Sequence, residues 1–314
     1  MAQRVFIDGE AGTTGLQIRE RLEGRRDIEL VSIDPAKRKD ADERKRLLNS
    51  VDAVILCLPD DAAREAVSLI ENDAVKVIDA STAHRVAEGW TYGFAEMAKD
   101  QRAKITASKR ISNPGCYPTG FIGLVRPLVE AGLVPREWPL SVNAVSGYSG
   151  GGKSMIAEFE DEAAENFTRA PFRIYAMAQK HKHVPEMQKY AGLARGPIFQ
   201  PSVGRYYKGM IVEVPLPLSA LPRAPKLADV RAALEAAYAG ERFVSLASAE
   251  ECAAVKTLDP EGLNDTNQMW LFIFGHDDEA RLVALLDNLG KGASGAAVQN
   301  LNIALGLDEG AGLN

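Results

Sequence analysis

The sequence predicts an α/β protein: a Rossmann-type parallel sheet domain followed by an α+β domain with a largely antiparallel sheet. Residues 4–78 alternate short β-branched runs with helix-like stretches, the pattern of a parallel sheet. A glycine-rich loop follows the first of these runs, and beyond residue 139 apolar strands dominate. The 314 residues also exceed what one hydrophobic core usually serves, so two domains are expected.

The first domain takes its strands from the β-branched runs. The predicted strands are 4–7, 28–33, 51–58 and 75–78. The helices predicted between them are 14–23, 40–49 and 60–71, each opened by a Thr or Asp that could cap it.

The second half of the chain predicts mostly strands, at 140–145, 198–203, 210–214, 269–274 and 281–286. A helix over Leu227–Tyr238 is predicted between them. An amphipathic helix over Gly295–Leu305 closes the chain, and residues 308–314 resemble a frayed tail.

Composition excludes several classes of protein. Hydrophobic residues make up 46% and charged residues 25%, and no run reaches the ~18 uncharged apolar residues that span a bilayer. The first residues lack the apolar segment of a signal peptide, which predicts a cytoplasmic protein without a membrane partner. The net charge of -6 disfavours a nucleic-acid partner. Cys57, Cys116 and Cys252 are too widely spaced to indicate disulfides or a zinc site.

Cys116 is the most informative residue of the chain. It lies in the segment SNPGCYPT, just before an apolar helix-like run over 119–129. A thiol at the first turn of a helix meets the positive end of the helix dipole and unpaired backbone N–H groups, which lower its pKa. Cys116 is therefore a candidate nucleophile.

The glycine loop after the first strand is a candidate dinucleotide site. Gly9, Gly12 and Gly15, with Thr13 and Thr14, lie between a strand and a helix, where glycines let backbone N–H groups approach a pyrophosphate. The GxxGxxG spacing departs from GxGxxG, and the alternative is a simple strand-to-helix turn.

The residues leave NAD and NADP both open. Asp34 follows Gly15 by about 20 residues, where a carboxylate would bind a ribose 2′-hydroxyl and indicate NAD. Lys37, Arg38 and Lys39 come directly after it and could bind a 2′-phosphate, which would indicate NADP; alternatively they form a solvated loop.

The segment HKHVPE supplies candidate acids and bases. His181 and His183 precede Pro185, which suits the first turn of a helix, so either imidazole could act at an element boundary. The alternatives are a surface pair or half of a metal site, and no third ligand supports a metal.

Two further loops could bind anions. The segment 146–154 carries Gly147 and Lys153 and could hold an anion or be a flexible loop. Ser81 and Arg85 follow the fourth strand, at the sheet edge where open α/β sheets bind ligands. Arg85 could bind a phosphate or simply be an exposed arginine.

Taken together, six segments resemble the N-acetyl-gamma-glutamyl-phosphate reductases of arginine biosynthesis, in their shorter form, within the semialdehyde dehydrogenase superfamily. The segments are SNPGCYPT, DGEAGTTG, DASTAHR, SGYSGGG, HKHVPE and DNLGKGASGAAVQN. The resemblance runs from Arg4 to about Leu305, and the Cys116 segment together with the late DNLGKG segment is its most specific part.

The resemblance implies NADP(H) as cofactor and a small-molecule acyl phosphate as substrate. It implies an NADP-binding Rossmann domain over 1–115, completed by a C-terminal helix over 290–314. Residues 116–289 would form the catalytic and oligomerisation domain of a homo-oligomer, a dimer or a tetramer.

Site residues are assigned on the residues and the resemblance together. The catalytic candidates are Cys116, His181, His183 and, for the oxyanion, Asn113. The cofactor candidates are Gly9, Gly12, Thr13, Thr14, Gly15, Arg38, Lys39, Ser81, Gly147, Asn288 and Lys291. The substrate candidates are Arg85, by its likeness to the arginine loop of aspartate-semialdehyde dehydrogenase, and the cationic Lys153, Arg205 and Lys208; the phenol of Tyr206 is a further candidate.

The implied reaction is reduction of N-acetylglutamyl 5-phosphate to the 5-semialdehyde through a thioester on Cys116. The same covalent logic would serve another acyl phosphate, such as an aspartyl or aminoadipyl phosphate. A different class of protein is also open: a non-catalytic dinucleotide-sensing module in which Cys116 is a capped thiol.

Overall fold

The structure is a computed structural model that describes residues 2–38 and 40–314, and it divides into two compact units. Unit 1 comprises the chain up to Ala95, Lys99–Pro114 and Ala293–Asn314. Unit 2 comprises Glu96–Ala98 and Gly115–Gly292. A parallel sheet in unit 1 and a mainly antiparallel sheet in unit 2 confirm the predicted fold class.

Unit 1 alternates strands and helices as predicted. Its elements are β1 (Gln3–Asp8), α1 (Thr13–Leu22), β2 (Ile28–Val31), α2 (Ala41–Leu48), β3 (Ala53–Leu56), α3 (Asp60–Ser68), β4 (Lys76–Asp79), β5 (Thr91–Tyr92), α4 (Gln101–Ala107) and β6 (Arg110–Ser112). The sheet order is β2-β1-β3-β4-β6-β5, and each neighbouring pair is parallel. The loops after β1, β3, β4 and β6 therefore leave from one edge of the sheet.

The predicted helix caps are only partly confirmed. Asp40 caps α2, since its carboxylate accepts from the N–H groups of Asp42 and Glu43. The prediction is wrong for α1, which begins at Thr13 after Gly12, a residue without a capping side chain. It is also wrong for α3, because Asp60 turns instead to Thr82 and accepts from its N–H at 3.0 Å.

Unit 2 is built on a seven-stranded sheet. Its elements are α5 (Cys116–Glu130), β7 (Ser141–Gly147), α6 (Gly152–Glu160), β8 (Phe172–Ile174), α7 (Val184–Ala191), β9 (Ile198–Gly204), β10 (Met210–Leu216), α8 (Leu227–Tyr238), β11 (Val244–Leu246), α9 (Ala249–Ala254), β12 (Met269–His276) and β13 (Glu279–Leu286). The order is β11-β12-β13-β10-β7-β9-β8. The pairs β7/β9 and β11/β12 are parallel, and the other pairs are antiparallel.

Helix α5 lies directly against this sheet. A Cβ atom on Gly120 would come within 2.8 Å of Cγ2 of Val212, and one on Gly123 within 2.7 Å of Cε of Met269. These glycines let the helix approach the strands closely. The helix begins three residues earlier than the predicted run, so Cys116 itself is its first residue.

The last helix, α10 (Gly295–Leu305), has the predicted bounds but not the predicted amphipathic character. Every residue from Gly295 to Ala304 is buried, because the helix packs between α1, α4 and strands of the unit 1 sheet. Its polar residues Gln299, Asn300 and Asn302 are buried as well, so the helix has no polar face toward solvent.

The prediction that residues 308–314 form a frayed tail is also wrong. Glu309 forms an ion pair with Arg102 at 2.9 Å, and the backbone carbonyl of Ala311 accepts from both Asn302 and Arg25 at 2.9 Å. These bonds hold the tail on unit 1.

Membrane spans were expected to be absent, and the helices among the described residues are all too short or too polar to cross a bilayer.

Candidate active site

Cys116 occupies the first position of α5, and Gly115 precedes it as the N-cap with extended backbone, at φ −76° and ψ 151°. The N–H of Gly115 donates to Oε1 of Glu186 at 2.8 Å. The Cys116 side chain is half-buried. The predicted setting for a reactive thiol, the amino end of a helix, is therefore present.

Glu186 is a site residue that the sequence reasoning missed. It lies in the first turn of α7 and is 1% exposed. An acidic residue in a first helical turn usually serves its own helix, so the segment HKHVPE gave no sign that the carboxylate would reach a second helix. Its bond to Gly115 places the start of α7 beside the start of α5.

His181 and His183 lie next to the ring that follows the thiol. The Tyr117 ring centroid is 5.8 Å from that of His183 and 6.5 Å from that of His181. His183 is the N-cap of α7 and Pro185 lies in its first turn, as the sequence predicted. The structure thus brings both histidines and the Cys116 segment into one cluster of unit 2.

The two histidines differ in their surroundings. His183 is buried, whereas His181 is half-buried. The backbone N–H of His183 donates to Nδ1 of His181 at 3.2 Å. Because Nδ1 accepts, the neutral His181 ring carries its proton on Nε2.

Two tyrosines line the same cluster. The Tyr175 hydroxyl donates to that of Tyr117 at 3.0 Å, and the Tyr117 hydroxyl donates to the carbonyl of Ser202 at 3.1 Å. Burial raises the pKa of Tyr175 to about 12 and holds the pKa of Tyr117 well above its usual range. Both phenols are therefore protonated at neutral pH and act as donors.

The glycine loop of unit 2 is held by its own backbone. A Cβ atom on Gly147 would lie 2.5 Å from the carbonyl oxygen of Tyr207. Asn288 accepts from the N–H of Gly209 at 2.7 Å and donates to Oγ of Ser149 at 3.1 Å. Gly147 and Asn288, both predicted to bind cofactor, here fix the shape of this loop.

The cationic substrate candidates of unit 2 are spread along its surface. Lys153 is exposed in the first turn of α6. Arg205 donates to the carbonyl of Thr168 at 2.7 Å, and Lys208 forms an ion pair with Asp265. The Tyr206 hydroxyl is buried, and burial raises its pKa above the usual range.

Unit 1 contains a glycine-lined cleft. Gly9 has φ +90°, and a Cβ atom there would lie 2.4 Å from the carbonyl oxygen of Cys57. A Cβ atom on Gly15 would lie 2.6 Å from the carbonyl oxygen of Gly9. The cleft, of about 170 Å³, is lined by Gly12, Thr13, Thr14, Gly15, Cys57, Leu58 and Ala80. Bare backbone at the start of α1 fits a pyrophosphate.

A second cleft of about 350 Å³ adjoins Gly9 and carries two arginines, Arg38 and Arg44. Arg38 is 3.7 Å from Glu10, and Arg44 is 2.9 Å from Asp8. Arg44 lies on α2, within the helix predicted over 40–49, but it was not predicted as a site residue. Lys39, a predicted cofactor residue, lies outside the described residues.

Asp34, the residue that favoured NAD, forms a hydrogen bond within its own loop. Its Oδ1 accepts from the N–H of Ala36 at 2.9 Å and caps the short turn Pro35–Lys37. This bond engages one of the two carboxylate oxygens in a local cap.

The loop after β4 forms a tightly bonded group in unit 1. Oδ2 of Asp79 accepts from Oγ of Ser81 at 2.8 Å and lies 2.6 Å from Nδ1 of His84. Arg85 is buried, and its Nε donates to the carbonyl of Asn113 at 3.0 Å.

The amide of Asn113 is bonded at both ends within unit 1. Its Nδ2 donates to the carbonyl of Ala293 at 2.9 Å, and its Oδ1 accepts from Asn300 at 3.0 Å. Such bonds fix the position of the side chain. The predicted oxyanion role of Asn113 stays a prediction.

The comparisons with known proteins define the class. Residues 4–105 match the family described as semialdehyde dehydrogenase, NAD binding domain. Residues 116–288 match the family described as semialdehyde dehydrogenase, dimerisation domain. The chain is therefore a semialdehyde dehydrogenase in class, and the match to an NAD binding domain supports a nicotinamide dinucleotide cofactor.

Similar sequences narrow this class. The chain is 55% identical over 318 residues to N-acetyl-gamma-glutamyl-phosphate reductase 2 of Nostoc sp., covering 99% of each. It is 55% identical over 309 residues to N-acetyl-gamma-glutamyl-phosphate reductase of Brucella ovis, covering 98% of this chain and 100% of that protein. The chain therefore belongs to the N-acetyl-gamma-glutamyl-phosphate reductase family, and the resemblance found in the sequence is confirmed.

Solved structures agree on the fold alone. Aspartate semialdehyde dehydrogenase II of Vibrio cholerae has a TM-score of 0.73 at 16% identity, covering 97% of this chain and 98% of that chain. Aspartate semialdehyde dehydrogenase of Candida albicans, solved with NADP, has a TM-score of 0.63 at 14% identity, covering 96% and 98%.

Proposed function

We propose that this chain reduces N-acetyl-L-glutamyl 5-phosphate to N-acetyl-L-glutamate 5-semialdehyde and phosphate with NADPH, in arginine biosynthesis. The observation that carries the proposal is Cys116 at the first position of α5, in one cluster with two histidines. The relatives named N-acetyl-gamma-glutamyl-phosphate reductase support this substrate.

In the first step the Cys116 thiolate attacks the acyl-phosphate carbonyl carbon. A C–S bond forms, the C–O bond to phosphate breaks, and the acyl group remains on Cys116 as a thioester. Backbone N–H groups at the start of α5 stabilise the negative oxygen during the attack. Covalent capture matters because a free carboxylate is a poor hydride acceptor.

The second step needs a hydride and a proton. NADPH, when bound, supplies the hydride to the thioester carbon. We assign the proton to His181 in its imidazolium form, which becomes the neutral ring after the transfer; His181 is half-buried and can exchange protons with solvent, whereas His183 is buried at the helix cap. The protonated thiohemiacetal then releases the aldehyde and the Cys116 thiol.

We assign cofactor binding and acyl transfer to the two predicted domains separately. Residues 1–115 with 290–314 bind the dinucleotide, and residues 116–289 carry the acyl group and the oligomer contacts. The glycine cleft of unit 1 and the cysteine–histidine cluster of unit 2 support this division.

NADP rather than NAD is the proposed cofactor, and three observations support it. Arg38 and Arg44 line the cleft beside Gly9, whereas Asp34 is not among its lining residues and uses one carboxylate oxygen for a local cap. The Candida albicans neighbour was solved with NADP. Arg44→Gln should lower the preference for NADPH over NADH by about tenfold, as loss of one charged phosphate contact does. An unchanged preference would remove Arg44 from the proposed site.

A homo-oligomer agrees with the dimerisation-domain match over residues 116–288. We propose a dimer or a tetramer that covers β8, the edge strand of the unit 2 sheet. Phe172, Ile174 and Met177 leave 53%, 61% and 68% of their side chains exposed there. Light scattering of Ile174→Lys should show a smaller assembly than the parent chain.

Arg85, Lys153, Arg205 and Lys208 stay candidate substrate residues, and the cytoplasmic location stays a prediction.

The test of the proposed function is the reverse reaction. The chain should reduce NADP with N-acetylglutamate 5-semialdehyde only when phosphate is present. Aspartate semialdehyde in the same assay distinguishes another acyl phosphate as the substrate. If the chain binds the dinucleotide but shows no turnover with either aldehyde, the result would favour the non-catalytic sensing module and contradict the proposal.

A further inference from the structure

The segment Gly290–Ser294, which leads into α10, forms a π-helical turn. Such turns are rare and recur at functional sites. This one packs its backbone closely at two points. A Cβ atom on Gly290 would lie 2.0 Å from the carbonyl oxygen of Thr266, and one on Gly292 would lie 2.7 Å from Cβ of Cys116. The backbone at Gly292 is therefore in direct contact with the proposed nucleophile.

Lys291, between these two glycines, points into the interior of unit 2. Its Nζ lies 2.8 Å from both carboxylate oxygens of Glu96 and 5.7 Å from the ring centre of Phe243. The side chains of Lys291 and Glu96 are 2% and 0% exposed. A fully buried ion pair adds little net stability, but its hydrogen bonds fix the positions of both side chains. Removal of one partner alone is strongly destabilising, because it leaves an unpaired buried charge.

Glu96 lies in a short segment of unit 2 that interrupts unit 1 in the sequence. The three residues Glu96–Ala98 belong to unit 2, although the residues before and after them belong to unit 1. The ion pair therefore connects the segment Glu96–Ala98 to the π-helical turn that contacts Cys116. Asp287 adds a further anchor, since its carbonyl accepts from the N–H of Gly292 at 3.0 Å.

We propose that the buried Lys291–Glu96 pair positions the nucleophile by holding the Gly292 backbone against the Cys116 side chain. Lys291 is then a positioning residue rather than the cofactor ligand that its sequence context suggested. A side chain at position 292 would meet Cβ of Cys116 first, so the glycine lets the turn lie directly against the first residue of α5. The proposal rests on Cys116 being the nucleophile of the proposed function.

The test measures the rate at which iodoacetamide alkylates Cys116, followed by mass spectrometry of its peptide. It also measures kcat, the dissociation constant of NADPH and the melting temperature of the full chain. Alkylation needs no substrate, so it reports on the thiol even if the proposed substrate is wrong.

Gly292→Ala and Lys291→Met should each lower the alkylation rate and kcat by about tenfold or more, because displacements of about 1 Å have effects of this size. The dissociation constant of NADPH should stay within about twofold, since the proposal gives neither residue a contact with the cofactor. Gly275→Ala is the matched control. It places a Cβ atom 2.1 Å from the carbonyl oxygen of Glu279 in a hairpin, so it should lower the melting temperature and leave alkylation unchanged.

The double variant Glu96→Gln, Lys291→Met separates positioning from stability. Removing both charges should return the melting temperature toward that of the parent. Alkylation and kcat should stay low, because Met cannot donate the bonds that place the turn. Recovery of alkylation and kcat together with the melting temperature would overturn the proposal. So would weaker NADPH binding with normal alkylation in Lys291→Met, which would restore Lys291 as a cofactor ligand.

Discussion

Helices α1 and α5 begin in the same way and serve different chemistry. Each follows a glycine with extended backbone, Gly12 at φ −77° and ψ 164° and Gly115 at φ −76° and ψ 151°. Neither glycine has a side chain that could cap the helix. At α1 the first residue is Thr13 and the helix start lines a glycine cleft. At α5 the first residue is Cys116, and a buried carboxylate binds the N-cap.

The difference shows how one local structure can support two kinds of binding. Unpaired N–H groups and the helix dipole attract any anion. When only backbone is present, as at α1, the helix start suits reversible binding of a pyrophosphate. When a thiol stands at the first position, as at α5, the same field stabilises a thiolate that can bond covalently.

The largest expected effect comes from removing the covalent group at α5. Cys116→Ser should lower phosphate-dependent turnover by about 10⁴-fold or more, because a hydroxyl in this setting is a far weaker nucleophile. NADPH binding should remain near that of the parent. Steady-state rates and fluorescence titration check the two parts, and retained turnover would refute the nucleophile assignment.

At α1 the corresponding change blocks the backbone. Gly15→Ala places a Cβ atom 2.6 Å from the carbonyl oxygen of Gly9, so the loop must shift. The dissociation constant of NADPH should rise about tenfold or more, while iodoacetamide still alkylates Cys116 at the parent rate. Gly24→Ala, at a positive φ in open space, is the control for backbone strain alone. Equal losses of binding in both variants would contradict a special role for the loop.

The histidines beside α5 should have a smaller effect. His181→Asn should lower kcat by about 10²-fold and flatten the pH dependence of kcat, since it loses the proton donor. His183→Asn should retain more activity. Full activity of both variants across pH 5 to 9 would move the acid/base role to another residue.

The smallest effect concerns the thiol that borders the α1 cleft. Burial raises the pKa of Cys57 to about 12, whereas an unfolded thiol ionises near about 8.5. Between these values the folded state binds one more proton, so the free energy of unfolding falls as the pH rises. Cys57→Ala should lose this part of the slope in urea unfolding measured at pH 8 and pH 10. An identical slope in both proteins would contradict the assignment.

Much of this fold is readable from the sequence because it depends on periodic patterns. The longer strands of both sheets and the bounds of α8 and α10 follow from apolar runs and their breaks. The strands β5, β6, β8 and β11 were not predicted, because runs of two or three residues are too short to show a period. The ordered C-terminal residues could not be predicted in this way. Their polar composition is typical of a loose tail and does not indicate the bonds of Glu309 and Ala311 to distant side chains.

The same limit applies to the site. Cys116 and the histidines belong to short, recognisable segments, so the sequence identifies them. Glu186 and the Lys291–Glu96 pair act across long separations in the chain, and Arg44 looks like an ordinary helix surface residue. Only the tertiary structure brings such residues to their partners.

The most direct test of the central claim is to trap the acyl group on Cys116. The enzyme is mixed with N-acetylglutamyl 5-phosphate without NADPH and quenched in acid, and released phosphate and peptide masses are measured. The account predicts one phosphate per active chain and an N-acetylglutamyl thioester on the Cys116 peptide, which disappears when NADPH is added before the quench. Phosphate release without an adduct on Cys116, or an adduct on another residue, would contradict it.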